Sequence, residues 1–291
     1  MMHMKGLKNY KTSIDLGTGN YGKVVEAIHT PSQTKVALKI ISKENKNHEI
    51  DTLSNSCSSS KGSNEEAFFV NEGTLNDAKV EITSLQTLNH RNIIKLIEVA
   101  EDEDQVVLVL EHANSDLMSY MLENDAMSEK EARVVMHQLL QAVNHCHENM
   151  ICHRDIKLEN ILISKNGTNS IKLCDFGLSD KMVEGQFLEE SCGSIHYASP
   201  EIVTNSQYNG TEVDAWSCGV CLYAMITGNF PFSSTSDEKI AKKIKKGIFE
   251  IPYYLSVNAE SLITRLLDVN PLTRWNVQKA LDCNWFKEFP T

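Results

Sequence analysis

Residues 153–160 read His-Arg-Asp-Ile-Lys-Leu-Glu-Asn. They set out a carboxylate (Asp155), a cation (Lys157) and a metal-binding amide (Asn160) at the spacing needed around a transferring phosphate. Asp155 would orient an attacking hydroxyl and accept its proton, Lys157 would screen charge on the moving group, and Asn160 would hold a magnesium ion. His153 reads as a packed core histidine rather than a general base. Fifteen residues after Asn160, beyond two short apolar strands, comes Asp175 in Ile-Lys-Leu-Cys-Asp-Phe-Gly, residues 171–177. There a second carboxylate ends a strand and can bind magnesium bridging nucleotide phosphates.

Upstream, residues 17–24 (Gly-Thr-Gly-Asn-Tyr-Gly-Lys-Val) follow Leu16 in a strand context. Glycines let backbone N–H groups approach phosphates that a side chain would hold away. Taken alone, the motif also fits a hairpin turn or a dinucleotide fingerprint; the fingerprint should open a helix, whereas residues 23–28 read as another strand. Residues 36–39, Val-Ala-Leu-Lys, set Lys39 in an apolar strand. A buried ammonium needs an anionic partner, which phosphates plus a carboxylate would supply; a lysine reaching out to solvent is the alternative.

The chain has 291 residues, 41% of them apolar, enough for one large domain or two lobes sharing a cleft. Its net charge of -11 argues against nucleic-acid or anionic-membrane binding and favours basic peptides as partners. Eight scattered cysteines and no secretory signal point to a reducing compartment, the cytoplasm with access to the nucleus. Cys218-x-x-Cys221 lies in the apolar run 213–226, which is too short for a membrane span and reads as a core helix with buried thiols. Residues 10–41 are strand-like and 43–76 lose periodicity in a Ser/Asn-rich tract expected to be a disordered insertion. Val80, Ile82, Leu85 and Leu88 resume at helical spacing, and 106–110 is a buried strand. The polar link 111–115 is the expected lobe boundary. Beyond it, Ser128 and Glu131 form a capping box before Ala132, Val135, Met136, Leu139 and Val143. Lysines 242, 243, 245 and 246 read as the solvated face of an amphipathic helix.

Taken together, the glycine loop, Lys39, residues 153–160, residues 175–177 and Ser199-Pro200-Glu201 resemble the eukaryotic protein kinase superfamily, in order and spacing, from about residue 10 to 286. The resemblance implies an α+β bilobal fold, with a small β-rich N-lobe (about 10–110) holding one main helix and a larger, mainly helical C-lobe (about 116–286). ATP and Mg2+ would sit between them, with Asn160 and Asp175 holding the metal. Glu81 looks like the helix glutamate that pairs with Lys39, Asp214 like the buried aspartate bracing the catalytic loop, and Glu201 with Arg274 like the pair anchoring the activation segment. Leu110 takes the gatekeeper position, the backbone of Glu111 and Ala113 should meet the adenine edge, and Asp116 the ribose. Leu16, Gly17, Thr18, Gly19, Asn20, Tyr21, Gly22, Val24, Ala37 and Leu162 complete the nucleotide site.

Within the superfamily, residues 153–160 and 191–201 resemble the calcium/calmodulin-dependent kinase group and its AMP-activated-kinase-like branch. Lys157 is characteristic of serine/threonine kinases. Protein substrates with an upstream basic residue are implied, with Glu159 and Asp116 as acceptors for an arginine; Ala224, where some relatives carry a further glutamate, implies selection for fewer arginines. A regulatory subunit or upstream kinase is left unidentified. Glu190 stands where the branch usually presents a phosphorylatable threonine. It either pairs with Arg154 and orders the loop or is an exposed glutamate without a role. The kinase-like sequence runs to about the end of the chain, so regulation is expected from the insertion, the activation segment or a separate protein. Two other classes remain: a pseudokinase scaffold, which usually lacks one of Lys39, Asp155, Asn160 and Asp175, and a dinucleotide oxidoreductase, resting on the three glycines alone.

Overall fold

A strand that is apolar at every position, as residues 106–110 are, must be covered on both faces. The computed structural model describes residues 7–19, 22–43, 72–164, 167–183, 187–188 and 194–287, and in it this strand is internal to a sheet. The first elements are β1 (Tyr10–Gly19), β2 (Gly22–His29), β3 (Thr34–Ser42), α1 (Glu72–Thr87), β4 (Leu96–Glu101) and β5 (Gln105–Glu111). The strands form one antiparallel sheet in the order β1-β2-β3-β5-β4. Val107 and Val109 pack with Val25, Val36 and Leu38 on one face. Val106, Leu108 and Leu110 join Ile41, Leu85 and Leu88 on the other, the face α1 helps cover.

Helix α1 starts at Glu72, so it takes in the last five residues of the tract expected to be disordered, 72–76. Its first two turns carry only Leu75 and Ala78 as apolar side chains after Glu72, so apolar spacing could not reveal them. Residues 44–71, the rest of that tract, lie outside the described residues. Val80 and Ile82 are only partly buried, whereas Ala78, Glu81, Ser84, Leu85 and Leu88 are buried. The inward stripe thus includes two polar residues that hydrophobic periodicity does not register.

Residues 112–114 lead to β6 (Ser115–Asp116), α2 (Leu117–Asn124), α3 (Glu129–Glu148), β7 (Ile151–Cys152), β8 (Ile161–Ser164), β9 (Gly167–Leu173) and β10 (Asp180–Lys181). A three-stranded sheet β6-β8-β9 and a two-stranded pair β10-β7 result. The helices α4 (Pro200–Val203), α5 (Gly210–Thr227), α6 (Asp237–Lys246), α7 (Val257–Leu266), α8 (Val277–Leu281) and α9 (Asn284–Lys287) follow. The fold is α+β: a β-sheet N-lobe with α1 and a mainly helical C-lobe. At the start of α3, Ser128 Oγ accepts from Glu131 N (3.3 Å) and Glu131 Oε2 from Ser128 N (3.0 Å), so the capping box is formed. On α6, Ile240 and Ile244 face inward while Lys242, Lys243, Lys245 and Lys246 are exposed.

Helix α5 is buried from Val213 through Ile226, and Cys218 and Cys221 lie within it. No helix among the described residues is long and apolar enough to cross a membrane, and no group of three or more His, Cys, Asp or Glu among them is clustered to hold a metal ion. Burial pushes the thiols of Cys146, Cys152, Cys218 and Cys221 above their ordinary range, and the thiolate is the reactive form. Iodoacetamide at pH 8 should therefore leave these four unlabelled in folded protein and label them after denaturation, as read by peptide mass mapping.

Candidate active site

A cleft of about 430 Å³ is lined by residues of both lobes and of the segment that joins them. Leu16 and Gly17 of β1, Val24 of β2, and Ala37 and Lys39 of β3 line it from the N-lobe, with Glu81 behind. Leu110, Glu111 and Ala113 line the connection, and Asp116, Asn160, Leu162 and Asp175 the C-lobe side. Thr18 and Gly19 end β1 opposite Lys23 and Gly22; Asn20 and Tyr21 lie outside the described residues. Gly22 has a φ of +154°, and a Cβ there would collide with the Ile40 carbonyl, so strand-to-strand proximity requires glycine. Ile94, Asn114, Ser115 and Cys174 also line the cleft. Ile94 comes there because its N–H bonds Leu173 O (2.9 Å), a contact between distant segments that no local pattern signals. Burial pushes the Cys174 thiol well up, which argues for an inert thiol.

Lys39 alternates inward with Ala37 along β3, and its Nζ lies 2.6 Å from Glu81 Oε2 and 2.7 Å from Asp175 Oδ1. Burial alone would lower the ammonium's pKa; the two carboxylates outweigh it and hold it above the ordinary lysine range. Burial raises the Glu81 carboxyl against the pull of Lys39. At Asp175 burial is outweighed by Lys39, and its carboxyl is held low. Lys39 and Glu81, 42 positions apart in sequence, thus form an ion pair.

The loop 153–160 is held from below. Asp214, fully buried in α5, accepts from the backbone N–H groups of His153 and Arg154 and bonds His147 Nε2, each at 2.8 Å. Burial pushes the Asp214 carboxyl up, but these donors and the neighbouring histidines outweigh it and the pKa falls below the usual range. The bond to Arg154 N helps fix that residue at a φ of 65°, a left-handed conformation uncommon outside glycine. His153 is buried: Nδ1 faces Asp155 N (3.3 Å) and Nε2 Cys174 O (3.0 Å), which assigns its proton to Nε2. His147 had no sequence signal.

Asp155 Oδ2 accepts from Lys157 Nζ (2.6 Å) and Asn160 Nδ2 (3.0 Å). Asn160 Nδ2 also donates to Asp155 O (2.8 Å), so the amide nitrogen is committed to Asp155. Asp116 caps α2 by accepting from Ser119 N (2.8 Å) and Ser119 Oγ (2.7 Å). Glu159 accepts from Tyr197 Oη at 3.1 Å. Arg274 grips Glu201 with two buried 2.8 Å bonds. Arg154 donates from Nε to Leu178 O (2.6 Å); Glu190 lies outside the described residues.

Comparison with known proteins agrees with this architecture. Residues 10–286 match the protein kinase domain family. The chain is 40% identical over 279 residues to the carbon catabolite-derepressing protein kinase of Saccharomyces cerevisiae, covering 96% of this chain and 40% of that protein. It is 37% identical over 287 residues to the serine/threonine protein kinase OSK3 of Oryza sativa subsp. indica, covering 98% and 51% respectively. The chain therefore spans about half the length, or less, of these curated relatives. With the family model matching nearly all its length, the chain belongs to the protein kinase family.

Proposed function

We propose that this protein transfers the terminal phosphate of ATP to serine or threonine hydroxyls of other proteins. The observation that carries the reading is the convergence in one cleft of Lys39, paired with Glu81 and Asp175, and Asn160, whose amide nitrogen is committed to Asp155. The Lys39 ammonium is placed to meet nucleotide phosphates. The Asp175 carboxylate and the Asn160 amide oxygen are hard oxygen donors of the kind Mg2+ prefers, which fits the metal the family uses. When bound, that ion would neutralise charge on the phosphate oxygens. Asp155 would orient the substrate hydroxyl and accept its proton, with Lys157 bonded beside it to screen the developing charge.

Leu16, Val24, Ala37 and Leu162 offer apolar contacts for the adenine ring, and the backbone of Glu111 and Ala113 its polar edge. Glu159 and Asp116 give the cleft's mouth an acidic character suited to an arginine upstream of the acceptor. A cytoplasmic setting fits the six free cysteines among the described residues.

The test is transfer of labelled phosphate from Mg-ATP to three peptides that share an upstream arginine and differ only in the acceptor: serine, threonine or tyrosine. Labelling of the serine and threonine peptides and not the tyrosine peptide is expected. No transfer by folded protein that binds Mg-ATP would replace this reading with a nucleotide-binding scaffold.

A further inference from the structure

One turn beyond Glu81, the same buried face of α1 carries Ser84. The helix's other hydroxyl residues nearby satisfy themselves locally: Thr83 Oγ1 donates to Lys79 O (2.8 Å) and Thr87 Oγ1 to Thr83 O (2.9 Å), the usual back-bonding of a mid-helix hydroxyl. The Ser84 hydroxyl instead lies 2.9 Å from that of Ser179, 95 residues further along. Their exposures are 6% and 3%. Ser179 Oγ donates to Phe176 O at 2.7 Å, and Ser179 N reaches the same carbonyl at 3.0 Å. A hydroxyl has one proton, and that of Ser179 is committed to Phe176, so Ser84 is the donor to Ser179.

This relay closes a circuit. Helix α1 reaches Asp175 through Glu81 and Lys39, and it reaches Phe176, the next residue, through Ser84 and Ser179. Asp175 has a φ of 64°, so the turn it begins is held in a left-handed conformation that needs support from its surroundings. Two anchors at i and i+3 on one helix face fix its rotation as well as its distance, which a lone ion pair does not.

We propose that Ser84 and Ser179 are positioning residues, coupling the placement of α1 to the conformation of the Asp175-Phe176-Gly177 turn. The proposal rests on the kinase reading for its effect on rate and goes beyond it in assigning a device to two hydroxyls outside the cleft. Neither Ser→Ala change strands a buried group without recourse. In Ser84→Ala, Ser179 keeps Phe176; in Ser179→Ala, Ser84 can turn back to its own helix as Thr83 does. Folding is thus preserved while the link is cut.

The experiment compares the full chain with Ser84→Ala, Ser179→Ala and the double variant, by steady-state transfer to a serine peptide and by amide hydrogen exchange. Each single change should lower kcat about 3- to 10-fold, the range expected from one buried hydrogen bond, with KM for the peptide unchanged. The double variant should be no worse than the singles, the mark of two residues acting as one contact. Exchange should quicken together in residues 76–87 and 174–180 whichever serine is replaced. Unchanged kcat in both single variants of an active enzyme, additive losses, or faster exchange confined to the mutated element would overturn the coupling. If the wild type transfers no phosphate, the kinase reading fails by itself, and the exchange pattern alone decides the inference.

Discussion

Asp214→Ala is expected to lower the unfolding free energy by about 3–5 kcal/mol, a large share of the marginal stability of such a fold. The carboxylate is fully buried and serves the backbone N–H groups of His153 and Arg154 and the His147 ring, all at 2.8 Å. Alanine offers none of them an acceptor, and a buried donor left unmade costs about 1–3 kcal/mol. Transfer should be lost with the stability, because Asp155 follows directly on the two anchored residues. Asp214→Asn keeps one acceptor oxygen and should fall between the two in urea unfolding. The wild type carries a related pH signature. A carboxyl held below its unfolded value binds fewer protons in the native state, so its stabilisation is present above about pH 4 and disappears as pH falls through the folded value. The Asn variant should show a shallower acid transition.

Lys39→Met should be the second large effect. Methionine replaces the apolar stem of lysine but removes the cation between Glu81 and Asp175, leaving two carboxylates facing each other at a site where Glu81 is 1% exposed. We expect kcat/KM for ATP to fall about 10²–10³-fold, as when a preorganised electrostatic partner is lost. Stability should fall too, with a distinctive pH dependence. Burial already raises the Glu81 carboxyl; without Lys39 it rises further, so the native state holds a proton that the unfolded state releases. The Lys39→Met variant should therefore lose stability as pH rises from about 4.3 through the new folded value. Adding Glu81→Gln should restore much of it, measured by thermal unfolding between pH 5 and 8, without restoring activity.

What could be read in advance divides by the distance over which each interaction acts. The Ser128–Glu131 capping box, the doubly buried β5 and the core character of α5 are local patterns, and the structure has them. Pairing Lys39 with Glu81 across the Ser/Asn-rich tract, and giving Asp214 its bracing place, needed the family resemblance, because nothing local to either carboxylate marks it. The first turns of α1, the bond from His147 to Asp214 and the Ser84–Ser179 relay were out of reach. A buried polar residue leaves no periodic trace, and its partner lies on another element. Asp116 shows a subtler gap: with Ser119 three residues on it has the makings of a helix cap, yet the sequence was read there only for ribose and arginine contacts.

The most direct test of the central claim compares wild type with Asp155→Asn in transfer from Mg-ATP to a serine peptide. Asparagine keeps the shape of Asp155 but cannot accept the hydroxyl proton. A fall in kcat of about 10²–10⁴-fold with KM for ATP unchanged is the expected result. Equal transfer by the two proteins would contradict the assignment of Asp155, and with it the account of how this cleft works.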